Sequence, residues 1–164
     1  MYTRAYDKSQ HLMVTLFSGA SNVYDDFVRA AEDTVAVDAD AAGFSAGVIH
    51  ITEIEPGNPT PDAKCRKVLE DAVNRSNRAP KYVVCFITSS AIVRGVLTAL
   101  RWFQPSTAPH LPHAFARFEE AIMFAETHRP GISKRLRELR GEARSLAEQA
   151  AAATARASLR VGAA

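Results

Sequence analysis

Residues 81–103 read KYVVCFITSSAIVRGVLTALRWF, and the fold follows from this stretch. Tyr82, Val83, Val84, Cys85, Phe86 and Ile87 form an unbroken apolar run, too short for a helix and rich in β-branched and aromatic residues. A run without alternation suits a strand covered on both faces, the pattern of parallel sheets flanked by helices. Thr88, Ser89 and Ser90 follow. Short hydroxyl residues suit a helix start, because their side chains accept from free backbone N–H groups. Ile92, Val93, Val96, Leu97, Leu100 and Phe103 then recur at three- and four-residue steps, which lines one face of a helix. The unit is strand–turn–helix, the repeating piece of an α/β domain.

Upstream, residues 2–6 and 11–17 alternate as two short strands around the turn-forming Asp7, Lys8, Ser9 and Gln10, which predicts an opening hairpin. A helix follows, with Val23, Phe27, Ala30, Ala31, Thr34 and Val35 on one face, ending near Val37. Residues 47–54 make a third strand. Pro56-Gly57-Asn58-Pro59 is turn chemistry, and Thr60 is placed to cap a second helix with Pro61 and Asp62 in its first turn. Cys65, Val68, Leu69, Ala72 and Val73 form that helix's inner face. Downstream of Phe103, a proline-rich link leads to a short strand at 114–118 and a helix opening on Glu119 and Glu120. The order ββαβαβαβα implies one mixed sheet of about five strands with flanking helices.

Pro130-Gly131 ends this domain, taken as residues 1–129, and residues 130–164 form a basic helical tail by their Ala, Arg and Glu content. The tail holds seven Lys/Arg against three Asp/Glu, while the rest of the chain holds 13 against 15. Ile132, Leu136, Leu139, Ala143, Leu146, Ala150, Ala153 and Ala157 follow at steps of four and three, the spacing of a coiled-coil seam. Such a helix can dock back along its own domain or pair with a second chain or a partner. The arginine-rich flanks favour pairing, and truncation after Arg129 is then expected to leave the domain folded.

The composition, 47% apolar and 23% charged, is that of a globular chain long enough to bury a core. MYTRAYDKSQ is too polar for a signal peptide, and no apolar stretch approaches the roughly 20 residues a membrane helix needs. A cytoplasmic location is expected. Cys65 and Cys85 fall at core positions and read as reduced thiols.

The element order, and within it the segment from Tyr82 to Phe118, resembles STAS-like domains, the fold of bacterial anti-sigma-factor antagonists and of Sec14-like modules. The matching features are the hydrophobic strand, the T-S-S turn, the Ile92-Val93-Arg94 helix start, the proline-rich link and the Phe118-Glu119-Glu120-Ala121 helix start. The resemblance implies a non-enzymatic regulatory module whose partner is a regulatory kinase or a sigma-factor regulator. Antagonists of this type carry a phosphorylated serine at the helix start after the third strand. Here that place reads NPTPDAKC, so Thr60 alone is carried over as a phosphorylation position.

His110-x-x-His113 supplies two imidazoles with no further ligand nearby, short of the three or four a metal site needs. Glu53 and Glu55 read as a solvated strand end, and His50 as a core or semi-exposed histidine. Trp102 and Phe103 end the central helix, where an exposed aromatic could anchor a partner. The chain holds no phosphate-binding glycine motif, no nucleophile elbow and no zinc-protease motif. No catalytic residue, metal or cofactor is therefore expected. Lys134, Arg135, Arg137, Arg140 and Arg144 form a basic stripe, but glutamates interrupt it and no aromatics accompany it, which argues against nucleic acid or membrane as the partner. The expected function is partner docking through the two helix starts, at Thr60, Asp62 and Lys64 and at Thr88, Ser89, Ser90 and Arg94, or self-association through the tail. The alternative is a small-ligand or lipid carrier with a pocket near Thr88–Ser90.

Overall fold

A computed structural model describes residues 1–19, 24–58, 61–75, 82–95 and 112–161. The hairpin strands are β1 (Tyr2–Asp7) and β2 (Leu12–Phe17). Helix α1 (Tyr24–Asp40), strand β3 (Val48–Ile54), helix α2 (Ala63–Arg75) and strand β4 (Tyr82–Thr88) follow. Residues 91–95 are helical. Strand β5 (His113–Phe115), helix α3 (Phe118–His128) and helix α4 (Ser133–Val161) complete the order. The fold is α/β, as the alternation of periods implies. Trp102, Phe103 and His110 lie outside the described residues.

One five-stranded sheet runs in the order β1-β2-β3-β4-β5. β1 is antiparallel to β2, and β2 through β5 are parallel. Each pleat sends alternate residues to opposite faces. On one face Ala5, Leu12, Val14, Leu16, Ile49, Ile51, Cys85 and Ile87 pack against α3 and α4. On the other, Tyr2, Phe17, Phe27, Ala30 and Cys65 form a cluster with α1 and α2. β2 is buried at all six residues, whereas Val83, Val84 and Phe86 of β4 are half-buried. The apolar run of β4 therefore does not mark the best-covered strand. That strand is β2, which has a long neighbour on each side, α4 on one face and α1 on the other, while β4 borders a β5 of only three residues.

The first half of the tail docks back along its own domain, one of the two readings its spacing allows. Helix α4 lies along β1 and β2, and Ile132, Leu136, Leu139, Ala143 and Ala147 are in the core with the sheet. The arginines are accommodated because the sheet and α3 supply carboxylates. Asp7 accepts from Arg135 at 2.7 Å, Glu119 from Arg137 at 2.7 Å and Glu53 from Arg140 at 2.6 Å. The seam also shifts. Ala147 is buried while Leu146 is 46% exposed, so the buried stripe steps by four residues where a coiled-coil seam would step by three. A straight helix on a sheet keeps its 3.6-residue period and has no reason to supercoil.

The turn between α3 and α4 is locked. Glu126 accepts from the backbone of Gly131 at 2.8 Å and of Ser133 at 2.7 Å, so it caps α4, and Gly131 takes the left-handed conformation (φ +87°) that reverses the chain. Arg129 donates to the carbonyls of Gln10, Ala46 and Gly47, tying the turn to the loops at the amino ends of β2 and β3. Beyond Ala147 the residues of α4 whose exposure is described, through Ser158, reach solvent. That stretch needs no partner to stay helical: the docked half provides the costly nucleus, and alanine propagates it.

Truncation after Arg129 is accordingly expected to unfold the domain, seen as loss of near-ultraviolet dichroism and of the cooperative melt. Leu139→Ala should cost about 2–5 kcal/mol in denaturant unfolding, the range for a fully buried leucine. A truncated chain that melts cooperatively would remove α4 from the core.

Candidate functional site

Because β2 through β5 are parallel, their carboxyl ends share one edge of the sheet. The segments after β3 and β4 leave from neighbouring strands there, with Ile54 in register with Thr88. The turn after β3 is closed by Asn58, whose side-chain amide donates to the carbonyls of Phe17 and Glu55, each at 3.0 Å. Gly57 supplies the positive φ of +86° that this turn requires.

The cap of α2 is Asp62. Its Oδ1 accepts from the Cys65 backbone N–H at 2.7 Å, and that bond holds its carboxyl below the usual aspartate range. Thr60, the cap expected from the sequence, lies outside the described residues, and α2 begins at Ala63, three positions beyond it. A carboxylate two residues closer to the helix takes the position because it also meets the positive end of the helix dipole. Lys64 is exposed, with its ammonium 3.8 Å from the centre of the Tyr24 ring, so it links the starts of α1 and α2.

After β4, Thr88 is buried, and its hydroxyl accepts from the Ser90 backbone N–H at 3.2 Å. Ser90 caps the following turn by accepting from Val93 N–H at 3.3 Å, and Arg94 folds back to donate to the Thr88 carbonyl at 2.6 Å. Ser89 is exposed. Thr88 and Ser90 thus do the local work of a strand-to-helix turn. Ile92 departs from the expected inner stripe: it is 81% exposed. The edge therefore combines an aliphatic side chain in solvent with Ser89, Lys64 and Asp62.

Glu53 is where the sequence reading fails most plainly. The residue is 8% exposed. Arg140 grips both carboxylate oxygens at 2.8 and 2.6 Å, and Arg144 adds a third bond at 2.8 Å. Burial pushes this carboxyl up, but the two guanidinium groups outweigh burial and leave it below its ordinary value. Arg140 also stacks 4.4 Å over the Phe118 ring, so sheet, α3 and α4 meet at one carboxylate. A signal was present in the i, i+4 spacing of Arg140 and Arg144, which puts two guanidinium groups on one helix face. Nothing local identified their acceptor, 87 positions away from Arg140.

On the opposite face His50, Thr15 and Thr52 form a closed polar triangle. Nε2 of His50 is 3.0 Å from the Thr15 hydroxyl and 3.1 Å from that of Thr52, and Thr15 donates to Thr52 at 3.0 Å. Burial pulls the His50 pKa down to about 4. The hydroxyl groups satisfy one another and the ring inside the sheet, which is what buried polar groups require. His113 packs on Phe124, with ring centres 4.0 Å apart. Among the described residues, no group of three or more His, Cys, Asp or Glu could hold a metal ion. Cys65 and Cys85 are free and buried, and burial pushes the Cys85 thiol up to about 12. Among the described residues no helix is long and apolar enough to cross a membrane.

The basic stripe of α4 is largely neutralised. Arg135 meets Asp7, Glu138 and Glu142, Arg137 meets Glu119, and Arg140 and Arg144 meet Glu53. Comparison with family models, curated proteins and solved structures finds no match for this chain.

The histidine sets a pH test. His50 titrates near 6.5 when unfolded and near 4 when folded, so the unfolded chain binds the extra proton between these values. Stability is then full above pH 6.5 and falls as pH drops toward 4, by at most roughly 3 kcal/mol for this shift. Denaturant unfolding at pH 7, 5.5 and 4.5 should show the fall, and His50→Gln should flatten it. An unchanged slope in the variant would assign the loss to other groups.

Proposed function

We propose that this chain is a non-enzymatic, cytoplasmic regulatory or scaffolding module of the STAS-like type, which docks a protein partner at the carboxyl edge of its sheet. The observation that carries the reading is Ile92, a large aliphatic residue 81% exposed on a capped helical turn. An apolar centre with a polar rim is the anatomy of a protein interface. Asp62 and Lys64 on the neighbouring helix start supply the polar rim. The resemblance implies a regulatory kinase or a sigma-factor regulator as the partner, with Thr60 as the phosphorylation position.

Two features favour docking over a ligand pocket near Thr88–Ser90. The strands follow one another without a reversal of order, and ligand crevices in open α/β sheets form at such reversals. The Thr88 hydroxyl and the Ser90 side chain are also engaged in the turn itself.

Co-purification from the native host tests the reading. The wild-type chain should retain a partner at stoichiometric yield, and Ile92→Asp should lower its recovery at least tenfold while the circular dichroism stays unchanged. Equal recovery by both would move the contact away from this edge. Saturable binding of a small molecule protecting Thr88–Ser90 amides would favour the carrier instead.

A further inference from the structure

β1 is an edge strand, and its outer side is a competent template for pairing. Ser18 N–H donates to the Met1 carbonyl at 2.9 Å, and the register runs without a bulge from Tyr2 opposite Phe17 to Asp7 opposite Leu12. Antiparallel pairs alternate between bonded and non-bonded, so Thr3, Ala5 and Asp7 bond β2, and the backbone groups of Tyr2, Arg4 and Tyr6 face outward. Edge strands are usually guarded by proline, bulges or unpaired charge. β1 has no proline and no bulge, and its own charges are paired within the chain, Arg4 with Asp33 at 2.7 Å and Asp7 with Arg135 at 2.7 Å; the adjoining Lys8 reaches Asp40 but stays in solvent.

We propose that two copies of this chain associate across a two-fold axis through the outer edge of β1, joining the two five-stranded sheets into one. This surface is distinct from the carboxyl edge and does not depend on it. Three observations select a second copy as the occupant. An antiparallel register centred on Ala5 sets Ala5 against itself, Thr3 against Asp7 of the second copy, and Arg4 against Tyr6 of the second copy, whose hydroxyl rests on Asp40. No like charges meet.

The helix layer continues across the same axis. α4 lies over β1 and β2. With its axis midway between these two strands, about 2.4 Å inside β1, the two α4 helices would stand about 10 Å apart. Helices pack at about 8–10 Å, so the copies neither clash nor leave a gap.

The third observation is charge. Thr3 donates to the Ala143 carbonyl and Asp7 accepts from Arg135, so α4 runs antiparallel to β1 with Leu139 beside Ala5. Arg135 and Glu142 pair within each chain at 2.8 Å, and the two-fold brings Arg135 within one helical residue, about 1.5 Å, of level with Glu142 of the second copy, so the two pairs meet with opposite charges facing. Leu146, exposed and aligned with Arg135 and Glu142 along the helix, lies on this same side.

Light scattering over a concentration series, combined with amide hydrogen exchange, tests the proposal on the full chain. The expected mass rises from 17.8 kDa to twice that value, and the Arg4 and Tyr6 amides become protected as it does. Arg4→Pro removes an outward N–H without touching the β2 ladder and should abolish the dimer with unchanged circular dichroism. Glu142→Arg should weaken it at least tenfold. A single-chain mass at every concentration overturns the proposal. So does a dimer in which Arg4 and Tyr6 amides exchange freely, which would place the contact on the exposed end of α4, and this readout holds even if a variant fails to fold.

Discussion

Among the described residues, the apolar face formed by Ala5, Leu12, Val14 and Leu16 is covered by α4. A sheet face of this composition cannot stand in water, because each large side chain left exposed forfeits about 1.5–3 kcal/mol. The consequence spreads through the molecule. The chain must reverse at Pro130-Gly131, so Glu126 and Arg129 are committed to holding that turn. The helix must bring arginines over the sheet, so Asp7 and Glu53 are committed to receiving them. Charges that look like surface decoration in the sequence are the means by which a basic helix lies on a β-sheet.

This division explains what could be read from the sequence. Alternation in β1 and β2, the unbroken run of β4 and the glycine and proline turns are local signals, and they mark elements within a residue or two of where they stand. The class of fold follows from their order. The partner of a charged side chain is not local. Glu53 looks like a solvated strand end until Arg140 and Arg144 arrive from the other end of the chain. The tail likewise satisfies a coiled-coil spacing and a sheet-packing spacing equally well as far as Ala143, and the two part only at Leu146 and Ala147. Ile92 shows the limit of periodicity, since it fits an apolar stripe yet stands in solvent at the first turn.

The candidate docking face and the candidate dimer edge differ in kind. At the carboxyl edge the backbone is satisfied by caps and turns, with Asp62 and Ser90 absorbing the free N–H groups, so recognition there rests on side chains such as Ile92 and Lys64. At β1 the charged side chains are paired, and the backbone groups of Tyr2, Arg4 and Tyr6 face away from β2. The two surfaces lie on separate parts of the sheet, and a protein docking at one leaves the other accessible.

The hydrogen bond from Thr3 to Ala143 joins residues 140 positions apart. During synthesis the hairpin is made long before α4, and its apolar face stays uncovered until α4 emerges to close over it. Domains built on such distant contacts complete their folding late, with unpaired strands and bare apolar surface exposed meanwhile. Until α4 emerges, the nascent chain thus shows the bare apolar surface and unpaired strands that chaperones exist to shield.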